Sequence, residues 1–146
     1  MTTKLTIPQL IEIHMLHQDT YGVLPGFRNP GFLLQIVDRP FHESFGSSDS
    51  DSLIRQAALY WHGLARSFAF REGNAATAMH AMLTFLLVNG CELEIDEDDL
   101  VDAAILAATW KMELDECEAW IRARCPAEHG LKAPSPSLSP MDKPLA

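Results

Sequence analysis

Ser67-Phe68-Ala69-Phe70-Arg71-Glu72-Gly73-Asn74-Ala75-Ala76-Thr77-Ala78, and the run 79–88 that follows it, decide how the rest of the chain is read. Gly73-Asn74 is loop chemistry: glycine enters positive φ without a Cβ penalty, and asparagine caps helices by bonding exposed backbone N–H groups. A loop that opens onto a helix N-terminus aims unpaired N–H groups and the positive end of the helix dipole at one point, which is a scaffold for anion binding. Residues 79–88 contain a single ionisable side chain, His80. A helix that is apolar nearly all round is normally the buried centre of an all-α domain. The sequence predicts that helix over 77–89, with Asn89-Gly90 as its stop.

The neighbouring segments fit around such a centre. Upstream, a helix from Asp51 places Leu53, Ile54, Ala57, Ala58, Trp61, Leu64 and Ala65 on a broad apolar face. Thr6-Ile7-Pro8-Gln9 reads as a helix start, with Thr6 as N-cap, Pro8 in the first turn and Gln9 in the capping-box position. Leu10, Ile11, Ile13, Met15 and Leu16 supply its apolar stripe as far as Tyr21-Gly22. Pro25-Gly26 marks a turn, Asn29-Pro30 restarts a short helix with Leu33, Leu34, Ile36 and Val37 inward, and Arg39-Pro40 ends it. Residues 41–50 read as a flap, either a loop or a small hairpin. Downstream, residues 91–95 alternate as a short strand or extended link. Acidic residues then open a helix that buries Leu100, Ala103, Ala104, Leu106 and Ala107. A last helix covers 113–124, with Trp110 and Trp120 as core residues of this region. Residues 126–146 turn to Pro, Ser, Lys and Ala, a composition that cannot build a core and predicts a disordered tail after a helical domain over 1–125.

The chain has 146 residues, 47% of them apolar, enough for one domain with a core of its own. Its net charge of −9 argues against generic binding to nucleic acid or an anionic membrane. Three cysteines with no CxxC pair fit a reduced, cytoplasmic protein. The longest apolar run is too short to span a bilayer.

Three features together resemble the Fic superfamily, and within it the Doc (death-on-curing) toxins of phage and plasmid addiction modules. Tyr21-Gly22-Val23-Leu24-Pro25-Gly26 is similar to the Tyr-Gly-Gly-Leu-Pro-Gly segment after their first helix. Residues 58–66 resemble the helix that leads into their active loop, and residues 77–90 their central helix with its Asn-Gly stop. The family loop reads His-x-Phe-x-Asp/Glu-Gly/Ala-Asn-Lys/Gly-Arg. The resemblance implies a histidine that takes the proton of a target hydroxyl, an acidic residue that helps hold Mg²⁺, and a basic pair that grips nucleotide phosphates. Carried over by position, Phe68 stands at the base, Phe70 at the core phenylalanine and Glu72 at the acid. Gly73 and Asn74 stand at the anion loop, and Ala75 and Ala76 at the basic pair.

Phenylalanine cannot accept a proton, and general-base help is worth about 10²–10⁴ in rate. Alanine cannot replace bidentate phosphate recognition by arginine. The expectation is therefore a catalytically inactive Fic/Doc-fold protein, borne by a phage or other mobile element, that inhibits or intoxicates by binding a protein with a basic surface. It needs no cofactor and has no direct nucleic-acid or membrane partner. The alternative is a divergent transferase that moves a phosphoryl or AMP group from ATP, with Mg²⁺, to a protein hydroxyl, with Arg66 or Arg71 as phosphate clamp and His62 or His80 as substitute base.

Local alternatives stay open at several positions. Gly73 and Asn74 form either a residual anion loop or only the cap of the central helix, and Glu72 is a weak metal candidate. His14 and His17 are a metal pair or surface histidines. Phe41, His42 and Phe45 make an exposed contact site or tuck into the core. Glu92, Glu94, Asp96, Glu97, Asp98, Asp99 and Asp102 face a basic partner or form a solvated helix start.

Overall fold

Helix α1 (Ile7–Tyr21) begins where the sequence places it. Thr6 Oγ1 accepts from Gln9 N–H at 3.2 Å, and Gln9 Oε1 accepts from Thr6 N–H at 2.8 Å, which satisfies two otherwise orphaned donors. Gly22 ends the helix at φ +70°, a conformation that costs an L side chain about 1–2 kcal/mol, and its N–H donates to Gln18 O at 2.9 Å. The inward face is Leu10, Ile13 and His14, at i, i+3 and i+4. Met15 and Leu16, expected inside, are about half exposed, because neither shares that face with Leu10.

The computed structural model describes residues 2–41, 49–108 and 113–126, except for side chains 49–50 and 106–108. His42, Phe45, Trp110, Leu106, Ala107, nearly all of the predicted flap and residues 127–146 of the predicted tail lie outside that description. Among the described residues the fold is all-α, with six α-helices and one 3-10 turn. Helix α2 (Gly31–Asp38) buries Leu33 and Ile36. Leu34, expected inward, points outward because it lies about 100° round the helix from Leu33. The 3-10 turn Arg39–Phe41 buries Pro40 and sets the Phe41 ring against Tyr60 and Phe85, with centroids 6.3 and 6.1 Å away.

Two helices make the centre: α3 (Asp49–Ser67) and α4 (Asn74–Val88). Ala57, Ala58, Ala78 and Ala81 are fully buried, and such small residues let helix axes approach closely. Trp61, Leu64, Met82, Phe85 and Leu86 fill the remaining volume. Tyr60 is buried with its hydroxyl accepting from Leu5 N–H at 3.2 Å, and burial first pushes its phenol up to about 12. Tyr60→Phe is expected to cost about 1–2 kcal/mol, read by urea unfolding, because the buried Leu5 N–H loses its acceptor.

Helix α4 starts at Asn74, three residues before the predicted start. Its N-cap is Gly73 at φ +80°, with no side-chain cap. Its last turn is buried on one side only: Phe85 and Leu86 are inside, whereas Leu87 and Val88 face out. Asn89 then ties the N-terminal arm down: its Nδ2 donates to Phe85 O and Thr3 O, and its Oδ1 accepts from Thr3 N–H.

Residues 91–95 form an extended link rather than a strand, with Cys91 and Leu93 buried and Glu94 N–H donating to Arg124 O at 2.8 Å. Asp96 and Asp99 cap each other's backbone N–H groups at the start of α5 (Glu97–Ala108). Helix α6 (Leu114–Arg124), opened by a Glu113–Glu116 capping box, lies on α3. Trp120 meets Trp61 edge-on at 5.2 Å, and Arg55 reaches Asp115 and Glu118 at 2.9 and 2.8 Å.

Candidate functional site

The loop between α3 and α4 is held from inside by its own polar groups. Ser67 Oγ donates to Leu64 O at 2.9 Å and accepts from Ala69 N–H at 3.0 Å, turning the chain out of α3. Phe68 follows at φ +53° with its side chain 46% exposed. Left-handed backbone at a bulky aromatic is strained, and such strain persists only where its surroundings over-determine it. Phe70, by contrast, is buried. Its ring stacks on His14 at 3.9 Å with planes 6° apart, and on Phe27 at 5.6 Å.

Asn74 neither caps α4 nor points outward. Its Oδ1 accepts from Phe70 N–H at 3.0 Å and its Nδ2 donates to Phe70 O at 2.9 Å, so the side-chain amide clasps one peptide of the loop from both ends. Asn74→Ala is expected to lower stability by about 2 kcal/mol in chemical denaturation, because it removes two hydrogen bonds and leaves both partly buried partners unmatched.

Glu72 is a latch. Its Oε1 accepts from Leu24 N–H at 2.8 Å, and its backbone carbonyl accepts from His14 Nε2 at the same distance. A carbonyl cannot donate, so the proton of His14 is on Nε2. The segment after α1 therefore closes over the loop. A Cβ on Gly73 would stand 3.4 Å from Val23 Cγ2 and 3.7 Å from His14 Cδ2, in addition to the strain of its positive φ. Residues 26–29 continue the cover: Arg71 N–H donates to Gly26 O at 3.1 Å, and Arg28 N–H to Ala69 O at 2.9 Å. These bonds frame the antiparallel bridge between Phe27 and Phe70.

Ala75 and Ala76 sit in the first turn of α4, where their side chains offer no hydrogen-bond donor. Thr77 N–H already bonds Gly73 O at 2.9 Å. Arg66 pairs with Glu113 at 3.7 Å, and the stem of Arg71 lies near Gly26. Among the described residues no group of three or more His, Cys, Asp or Glu could hold a metal ion.

The structure separates His14 from His17. His14 faces the loop, whereas His17 Nε2 lies 3.2 Å from His80 Nδ1 on α4 and its ring stacks on Tyr21 at 5.6 Å. Burial lowers the pKa of His17, His62 and His80, with nearby His80 and His14 adding to the effect at His17 and Arg66 at His62. The sign follows from linkage: a histidine whose folded pKa lies below 6.5 favours the fold above pH 6.5 and loses that contribution as pH falls through its folded value. The melting temperature is therefore expected to hold between pH 8 and 7 and to drop by about 3–5 °C or more by pH 5 (~1 kcal/mol of lost linkage). His80→Asn is expected to flatten that drop in a scanning-fluorimetry pH series.

The residues expected to meet a partner divide. Phe41 is placed on the core rather than on an exposed flap, because its ring packs on Tyr60 and Phe85. Asp96 is occupied in capping, and Asp99 pairs with Arg124 at 2.9 Å, a hydrogen bond that holds its carboxyl below the usual range. Glu92, Glu94, Glu97 and Asp98 are exposed. Sequence reasoning missed the roles of His14 and Phe27 in holding Phe70. The i+4 spacing of His14 from Leu10 was the available signal for the first, and nothing local marked the second.

Comparison with known proteins agrees with this architecture. A family model described as Fic/DOC family matches residues 4–86. The "Protein kinase doc" of Escherichia phage P1 is 29% identical over 114 residues, covering 78% of this chain and 89% of that protein. The "Toxin Doc" of Mycolicibacterium smegmatis is 35% identical over 94 residues, 63% of this chain and 72% of that toxin. The chain belongs to the Fic/DOC family.

Proposed function

We propose that this member of the Fic/DOC family is catalytically inactive and works by binding a protein partner, as a phage- or mobile-element-borne inhibitor or toxin-like protein. One observation carries the reading: the polar groups left in the loop serve the fold. Glu72 latches Leu24 N–H, and Asn74 clasps Phe70 at both ends. Phe68 cannot act as a base, and Ala75 and Ala76 cannot neutralise phosphate charge.

The residues present do not fit a triphosphate with its metal. One carboxylate already engaged by a backbone N–H is a poor Mg²⁺ ligand, and the first turn of α4, with alanine at 75 and 76, offers a phosphate no cationic side chain of its own. What the loop does offer is an apolar rim of Tyr21, Leu24, Phe27 and Phe68, each more than two-fifths exposed. Aromatic side chains of this kind anchor protein interfaces. Glu97 and Asp98 add negative charge that favours a basic partner.

Calorimetric titration of ATP, with and without Mg²⁺, tests the catalytic half. No heat is expected up to millimolar nucleotide. Micromolar, Mg²⁺-dependent binding would overturn the reading and favour a transferase. The binding half is tested by capture from lysate at low and moderate salt. A specific partner is expected with the intact protein, and its retention is expected to fall at least tenfold with Phe68→Ala or with Glu97→Lys/Asp98→Lys. Capture of no specific partner at either salt concentration, or a partner retained equally by both variants, would count against this surface. No described helix is long and apolar enough to cross a membrane.

A further inference from the structure

We propose that Cys91 and Cys125 are a redox modification site, a dithiol that closes to an intramolecular disulfide and ties the end of α6 to the link leaving α4. Their sulfurs lie 3.2 Å apart. A disulfide needs about 2.05 Å, so closure requires a movement of roughly 1 Å. Both backbones are already held in place by neighbours. Cys91 N–H donates to Leu86 O at 2.8 Å, Cys125 N–H to Arg122 O at 3.3 Å, and Glu94 N–H to Arg124 O at 2.8 Å. The same two strips of chain are thus paired by a backbone hydrogen bond next to the thiols.

The two cysteines are not equivalent. Cys91 is 2% exposed, and the hydrogen bond with Cys125 together with burial pushes its thiol far up. Cys125 is half-buried at the C-terminus of α6, so an oxidant reaches it first. A peroxide is the oxidant the chemistry calls for. The Cys125 thiol gives up its proton, the thiolate attacks one peroxide oxygen and the O–O bond breaks; Cys125 sulfenic acid forms, and the leaving hydroxide takes that proton as the first water. The Cys91 sulfur then attacks Cys125 Sγ, the S–S bond forms as the S–O bond breaks, and the leaving hydroxide takes the Cys91 proton as a second water. Two thiols and one peroxide give one disulfide and two waters, a two-electron oxidation. The high Cys91 pKa makes the second step slow and faster at alkaline pH.

Cys117 serves as an internal control. It is buried on α6, and burial pushes its thiol to about 12. In a reducing compartment the pair rests as thiols, and the disulfide is the transient, regulated form. Closing the loop between residues 91 and 125 restricts the unfolded chain, so the oxidised protein is the more stable one.

The test is titration of the full chain with hydrogen peroxide, followed by intact mass, non-reducing peptide mapping and thermal melting. The expected result is a monomer lighter by two hydrogens, a 91–125 cross-linked peptide, and a melting temperature higher by about 10 °C that dithiothreitol reverses. Cys125→Ser and Cys91→Ala are each expected to abolish the mass loss and the shift, while Cys117→Ala keeps both. A link through Cys117, only intermolecular disulfides, or over-oxidation of Cys125 while Cys91 stays a thiol would overturn the proposal. Should Cys91→Ala not fold, Cys125→Ser and the peptide map decide alone.

Discussion

Phe85→Ala is expected to lower the unfolding free energy by about 3–5 kcal/mol, a large part of what a domain of this size holds. Phe85 is fully buried on α4, its ring lies 4.8 Å from Tyr60 on α3 and 6.1 Å from Phe41, and Asn89 Nδ2 anchors on its carbonyl. Truncation empties a site bordered by two rings on rigid supports, so little can collapse into it. The cost is the lost transfer energy of the phenyl ring plus that of the residual cavity. Urea unfolding followed by tryptophan fluorescence measures it. A change below about 1 kcal/mol would mean that the α3–α4 contact is looser than the interlocked rings indicate. Leu34→Ala, on an exposed position, is the matched control and should stay within about 0.5 kcal/mol.

The triple variant Phe68→His/Ala75→Lys/Ala76→Arg is expected to show the second large effect, a gain. Restoring a base is worth about 10²–10⁴ in rate, and a phosphate clamp adds charge-assisted bonds that alanine cannot make. The backbone favours the exchange. Residue 68 holds φ +53°, where histidine is several-fold enriched relative to most side chains, so Phe68→His relieves strain rather than creating it. The variant should bind ATP at least 100-fold more tightly than the parent by calorimetry, and should label lysate proteins from labelled ATP where the parent does not. Labelling by the parent chain, lost with Glu72→Ala, would instead identify a divergent transferase. A triple variant that folds but neither binds nor labels would mean that the Glu72 latch on Leu24 N–H closes the site, and Leu24→Pro, which deletes that donor, then becomes the informative addition.

Both variants bear on how far the scaffold of the loop depends on the side chains at its exposed positions. The contacts that shape the loop, namely the His14–Phe70 stack, the Asn74 clasp and the Leu24–Glu72 latch, involve no residue at 68, 75 or 76. Substitution at those three positions therefore removes none of these three contacts. The fold and the chemistry of such a site are separable because backbone hydrogen bonds and ring packing hold the first, whereas exposed side chains carry the second.

Local sequence determined a great deal. The Thr6–Gln9 capping box, the Gly22 stop and the near-chargeless centre each produced the expected element, because caps and helical periodicity are decided by residues within one or two turns. Where the reading failed, distant partners had intervened. Asn74 was expected to serve the helix it opens, but Phe70 offers its side-chain amide two backbone partners, so Gly73 became the cap and α4 gained a turn. At Phe41 the sequence left an exposed contact and a core position equally open, and the approach of Tyr60 and Phe85 decides for the core. The sulfurs of Cys91 and Cys125, 34 residues apart, meet because α6 returns along the link that leaves α4. Sequence by itself determined which segments are helices and which loop residues lack the chemistry of a base or a phosphate clamp, since both are properties of side chains and their near neighbours. Tertiary structure alone decided what the remaining polar groups do, because a hydrogen bond is assigned by whichever partner the packed helices bring within 3 Å.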